Sequence, residues 1–192
     1  MNRTKKVISD VFWQLLEEKP YNKITVQNIV ERCQMSRNSF YYHFQDIPAL
    51  VEYSIQEWTE KVIKNNYDFE SPSKCIIPIA REIVKRKAAF IHIYRSVCGE
   101  SLIRHMNQVG LHIVQSYIGA ATKNINISEE DKTVFSRYYK CIFAGTVLDW
   151  LDSGASYDLL AFCEKICDAF EGSGKRALLK LQFSVLPLRL QR

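Results

Sequence analysis

Residues 24–44 read Ile-Thr-Val-Gln-Asn-Ile-Val-Glu-Arg-Cys-Gln-Met-Ser-Arg-Asn-Ser-Phe-Tyr-Tyr-His-Phe, and this run decides the fold. Thr25 can cap a short helix carrying Val26, Ile29, Val30 and Cys33, because its hydroxyl can accept from an unpaired amide of the first turn. Gln34-Met35 makes a tight break, and Ser36 can cap the next helix, Arg37 to Phe44. Two short helices at a three-residue turn form a helix-turn-helix. Ile29, Val30, Met35, Phe40 and Phe44 are expected inside, locking the crossing, so that the second helix holds one pose in a DNA major groove. Arg37, Asn38 and Ser39 fall on its first turn, where Arg can fork onto guanine and Asn onto adenine. Tyr41, Tyr42 and His43 face out with polar tips suited to phosphate. Thr25 and Ser36 sit where free helix amides also attract phosphate.

Helical periodicity continues on both sides. Val7, Ile8, Val11, Phe12, Leu15 and Leu16 form one stripe ending at Pro20. Asp46 can cap a fourth helix with Pro48 in its first turn. Residues 65–73 read as a connector. A fifth helix is expected to run to about Lys87 with Pro78 in its first turn, and two more over 88–98 and 101–124, split at Gly99. Ser128-Glu129-Glu130-Asp131 is a capped, acid-rich helix start. The following helix is apolar nearly all round and stops at Gly154. Ser156 is expected to cap its successor, and residues 172–174 to break it before a basic tail helix reaching Pro187. The expected fold is all-α: an N-terminal three-helix DNA-binding head, residues 1–47, and a helical bundle body, residues 48–192.

Composition agrees. Hydrophobic residues make up 47% of the chain, with only seven Gly and five Pro, which favours long helices around a real core. The net charge is +5, and the surplus lies in the tail beyond Glu171. Within residues 1–45, Arg3, Lys5, Lys6, Lys19, Lys23, Arg32 and Arg37 face four acids, a mild basic surplus that suits phosphate contact. The six cysteines are irregularly placed with no CxxC pair. No continuous apolar N-terminal segment or membrane-length run occurs, so a cytoplasmic chain with reduced thiols and no membrane partner is expected. The scattered histidines offer no metal spacing. No phosphate loop or catalytic constellation stands out, so neither a cofactor nor an enzymatic activity is expected.

The run Ser36-Arg37-x-x-Phe40-Tyr41-x-His43-Phe44, about ten residues after Thr25-Val26-x-x-Ile29, resembles the DNA-binding signature of the TetR family. The match covers roughly residues 5–60. The stretch Phe40–Ile47 is also similar to a branch that regulates dihydroxyacetone kinase operons. The resemblance implies a three-helix DNA head, a larger helical body, a homodimer on palindromic double-stranded DNA, and a DNA-facing set of Thr25, Ser36, Arg37, Asn38, Ser39, Tyr41, Tyr42 and His43; the head-plus-body layout suggests a small-molecule effector wedged into the body. Two positions depart from the family pattern. Gln34 stands where many members have Gly, and Gln45-Asp46 where many have a phosphate-contacting Lys.

The helices of residues 134–170 are too apolar for one small domain to cover, and a four-helix bundle across a two-fold axis would cover them. The expected interface is Tyr138, Ile142, Gly145, Leu148, Cys163, Ile166 and Phe170, with Ala144 and Gly145 permitting close approach. Tyr94, His105, His112, Cys141 and Trp150 are the expected lining of an effector cavity. The expected function is a ligand-responsive homodimeric repressor. The alternative is a coactivator whose body binds another regulator.

Overall fold

The computed structural model describes residues 3–65, 67–123 and 127–181. Over the described residues the chain is all-helical: α1 Arg3–Glu18, a 3-10 turn Tyr21–Lys23, α2 Val26–Cys33, α3 Arg37–His43, α4 Ile47–Lys64, α5 Pro72–Val84, α6 Lys87–Tyr94, α7 Gly99–Ala121, α8 Glu129–Asp152, α9 Leu159–Ala169 and α10 Ser173–Leu181. The helix expected in the tail begins as α10, and its expected continuation over 182–187 lies outside the described residues.

Local chemistry sets most boundaries. The Thr25 hydroxyl accepts from the Asn28 amide while the Asn28 side chain accepts from the Thr25 amide, a reciprocal capping box. Ser36, Asp46 and Ser128 cap α3, α4 and α8. Some bounds differ from the sequence reading. Ser71 caps α5 with Pro72 behind it, a stronger start than periodicity alone suggests, so Pro78 falls inside the helix rather than in its first turn. Asp158, not Ser156, caps α9, its carboxylate accepting from the Leu160 and Ala161 amides at 2.9 and 3.0 Å. Gly154 and Ala155, with φ of 73° and 55°, carry the reversal between α8 and α9.

The head's interior is built from Ile8, Phe12, Leu16, Ile29, Phe40 and Leu50, all fully buried. The Ser9 hydroxyl donates to that of Ser54 at 2.9 Å, tying α1 to α4 beneath this core. The body packs α7 on α8, α5 on α9 and α4 on α7. Head and body share one continuous hydrophobic core. At the seam the Phe90 ring of α6 stands edge-on to Trp13 of α1 and Trp58 of α4, with centroids 5.6 and 5.1 Å apart, and His92 Nδ1 donates to the Leu16 carbonyl at 2.7 Å. A smaller cluster of Ile118, Ile127 and Leu178 closes the body where α7 meets α10.

Candidate nucleic-acid interface

The turn between α2 and α3 sets the angle of the second helix. Gln34 adopts the left-handed conformation, φ 53° and ψ 46°. Its amide bonds to the Glu31 carbonyl, and the Met35 amide to the Val30 carbonyl at 2.9 Å. Those two bonds are the Schellman pattern, and Met35 just beyond them packs against the core. The turn thus keeps the geometry that favours Gly and absorbs about 1–2 kcal/mol for placing a side chain there.

Beyond that turn, Phe40 and Phe44 are buried and their rings lie 5.9 Å apart. This anchors α3 and leaves its other flank in solvent. Thr25, Ser36, Arg37 and Asn38 are exposed, and Ser39 and His43 half-buried. Tyr41 and Tyr42 are 55% and 85% exposed, so their rings and hydroxyls are open to a partner surface beside α3. All eight residues of the expected DNA-facing set therefore lie on the outside of α2 and α3.

Arg37 is not a loose side chain. Its Nε–H donates to Gln27 Oε1 at 2.9 Å, and the Gln27 amino group donates in turn to Glu31 Oε1. The bond uses Nε and leaves the terminal guanidinium fork free. Gln27 was not among the residues singled out from sequence. It lies ten residues from Arg37, and only the helix crossing brings them together. Asp46, where a cation was missed, is spent on α4: its carboxylate accepts from the Ala49 amide at 2.8 Å.

A second constellation joins α4 to the body. Glu52 accepts from the Ser101 hydroxyl, from Arg104 at 3.3 Å and from His105 Nε2 at 3.2 Å. The Ser101 hydrogen bond, with His105 and Arg104, holds the Glu52 carboxyl below the usual carboxylate range against the opposing effect of burial. Because only three residues separate α3 from α4, this clasp on α7 bears on how the head is held.

The five residues expected to line an effector cavity occupy separate settings. His105 is buried in the Glu52 clasp, and Cys141 is exposed. Trp150 is 1% exposed and its indole N–H donates to the Tyr157 carbonyl at 2.9 Å. Tyr94 and His112 are half-buried. Among the described residues no hydrogen bond or ring contact joins any two of the five. Among the expected interface residues, Tyr138, Ile142, Gly145, Ile166 and Phe170 are exposed and Leu148 half-buried. Cys163 is a correction: at 8% exposure it belongs to the protomer's own core, because the 100° step from Phe162 turns it inward. Val134 and Phe162 extend the exposed stripes instead.

Two family models match this chain. One, for bacterial regulatory proteins of the tetR family, matches residues 8–53. The other, for a transcriptional regulator C-terminal region of the same family, matches residues 70–172, more than half of the chain. The chain belongs to the TetR family of transcriptional regulators. Its relatives are distant. This TetR-family chain is 22% identical over 161 residues, 83% of its length, to the uncharacterized HTH-type transcriptional regulator YxbF of Bacillus subtilis, of which the match spans only 42%. It is 27% identical over 66 residues to the HTH-type dhaKLM operon transcriptional activator DhaS of Lactococcus lactis, covering 34% of this chain and 35% of that one. The chain thus spans less than half the length of the curated relatives it matches. Among solved structures the fold is similar to the dihydroxyacetone kinase operon activator DhaS, with a TM-score of 0.76 at 17% identity over 92% of this chain and 98% of that one. It is also similar to the TetR family repressor AlkX of Dietzia sp., with a TM-score of 0.56 at 16% identity over 93% and 96%. TetR-type regulators are not enzymes, and no described helix is long and apolar enough to cross a membrane.

Proposed function

We propose that this regulator works as a homodimer that reads a two-fold symmetric DNA site with Arg37 and Asn38, while Thr25, Ser36, Ser39, Tyr41, Tyr42 and His43 grip the flanking phosphates. The observation that carries the reading is the pre-aimed Arg37 on a helix locked by buried phenylalanines, beside two exposed tyrosines. Selection of bound duplexes from a random pool supplies the operator. Arg37→Ala should then cost about 1–3 kcal/mol and relax preference at one base pair. Unchanged affinity and preference would remove Arg37 from the interface.

Dimerisation is assigned to α8 and α9. Val134, Tyr138 and Ile142 recur every four residues along α8, and Phe162, Ile166 and Phe170 do so along α9, all exposed. Gly145 leaves room for a second backbone, since a Cβ there meets nothing within 4 Å. A two-fold pairing of these faces would place the heads in successive major grooves, about 34–36 Å apart if one turn separates the half-sites. The double variant Ile142→Asp/Ile166→Asp should sediment as a monomer; an unchanged mass would move the interface elsewhere.

Bound across a promoter, such a dimer represses by occlusion. An effector that parts α7 from α4 would reset the heads and release the DNA. The likeness to DhaS, a protein named as an activator, favours a second reading in which the bound dimer recruits a further protein through its body. A reporter driven by the selected operator separates them: output rises on deletion of a repressor and falls on deletion of an activator.

A further inference from the structure

Three cations open α1, and their placement runs against what helix stability asks for. Arg3, Lys5 and Lys6 fill the first turn with no acidic residue there. Cations at the positive end of a helix each cost about 0.3–1 kcal/mol, where acids would stabilise it. None of the three forms an ion pair among the described residues, although eight ion pairs form elsewhere. Arg3 and Lys6 are exposed. Lys5 is held: its ammonium lies 5.4 Å from the centroid of Phe44 and 5.5 Å from that of Tyr53. Phe44 is the residue that ends α3, so the Lys5 charge is parked at the far end of the reading helix, beside the start of α4. Gln45 and Asp46, which join α3 to α4, bring no cation there. The matched family segment begins only at residue 8, so these three residues lie outside it.

We infer that Lys5, with Arg3 and Lys6, forms a backbone-phosphate site on α1 that serves as a cationic anchor beside the reading helix. The inference rests on the proposed DNA-reading role of α3. Two aromatic faces fix the Lys5 ammonium, and Lys5 stays partly exposed, so it can still meet a phosphate oxygen. Such a contact carries no base information; it adds affinity to every duplex and steepens the salt dependence.

The test uses the full chain and a random-sequence duplex titrated by fluorescence anisotropy at several salt concentrations. For Lys5→Met, and separately for Arg3→Gln/Lys6→Gln, the slope of log affinity against log salt should flatten by about 0.9 for each phosphate no longer neutralised. Lys5→Arg should keep the slope. The double variant touches exposed side chains only, so it reads the charge even if Lys5→Met disturbs the ring packing. Unchanged slopes in both variants, with the unaltered chain binding DNA, would overturn this inference and leave the α3 reading intact. A chain that ignores every duplex at low salt would overturn both.

Discussion

Gln27 and Arg37 are joined across the helix crossing by a 2.9 Å hydrogen bond from Arg37 Nε to Gln27 Oε1. Gln27 is itself tethered to Glu31 one turn along α2, so the guanidinium is steered by the scaffold helix rather than by its own helix. A flexible arginine loses up to roughly 2 kcal/mol of rotamer entropy when it is fixed. Here part of that ordering is complete before any duplex arrives.

Gln27→Ala should therefore weaken binding to the selected operator by about 1 kcal/mol and leave binding to a random duplex unchanged. Anisotropy titrations on both duplexes check it. An equal loss on both would mean that Gln27 meets phosphate directly.

Gln34 holds a left-handed backbone that Gly adopts without penalty. Gln34→Gly should stabilise the protein by about 1 kcal/mol, or roughly 2–4 °C in Tm for a chain of this size. Differential scanning calorimetry measures it. No gain would mean that the turn's two hydrogen bonds already compensate the side chain.

Glu52 holds Ser101, Arg104 and His105 at once. Glu52→Ala should lower affinity for a two-half-site operator roughly tenfold, within the usual range of coupling energies. A duplex bearing one half-site should be bound as before, because α3 itself is untouched. Parallel titrations of the two duplexes distinguish this from general unfolding, which would reduce both.

Cys75 and Cys163 are buried, and burial is the leading cause that pushes each thiol up to about 11 from 9.0. A raised folded value favours the protonated thiol in the native state. Stability is then fully present below the unfolded value of 9.0 and declines as pH rises through about 11. Urea melts at about pH 8 and about pH 10.5 should show the loss, and Cys75→Ala should reduce it. Under native conditions near neutrality a thiol reagent should label exposed Cys141 long before these two.

The parts of the fold legible in the sequence are those fixed over a few residues. Thr25, Ser36, Asp46 and Ser128 are caps whose partners lie three positions away, so each helix start could be read locally. The outward flank of α3 followed from the inward spacing of Phe40 and Phe44. What periodicity could not supply was phase on helices apolar over most of their circumference. On α9 it offered Cys163 and Ile166 equally, and only the packing against α5 turns Cys163 in and leaves Ile166 out. Side-chain partners 49 to 53 residues apart, as in the Glu52 clasp, leave no local trace, and neither does the reach of Gln27 to Arg37. The cavity set of Tyr94, His105, His112, Cys141 and Trp150 was chosen by chemical type alone. The fold disperses it: Cys141 is exposed, His105 bonds Glu52 through Nε2, and the Trp150 indole bonds the Tyr157 carbonyl.

Phe90 wedged between Trp13 and Trp58 bears on how this molecule comes apart. An apolar plug that draws on α1, α4 and α6, on both sides of the seam between head and body, denies the reading end an independent melting transition. Severed after residue 47, that end would present Trp13 and its neighbours to water and would be prone to collapse or self-association. Heat or denaturant should abolish operator recognition and body helicity at one shared midpoint.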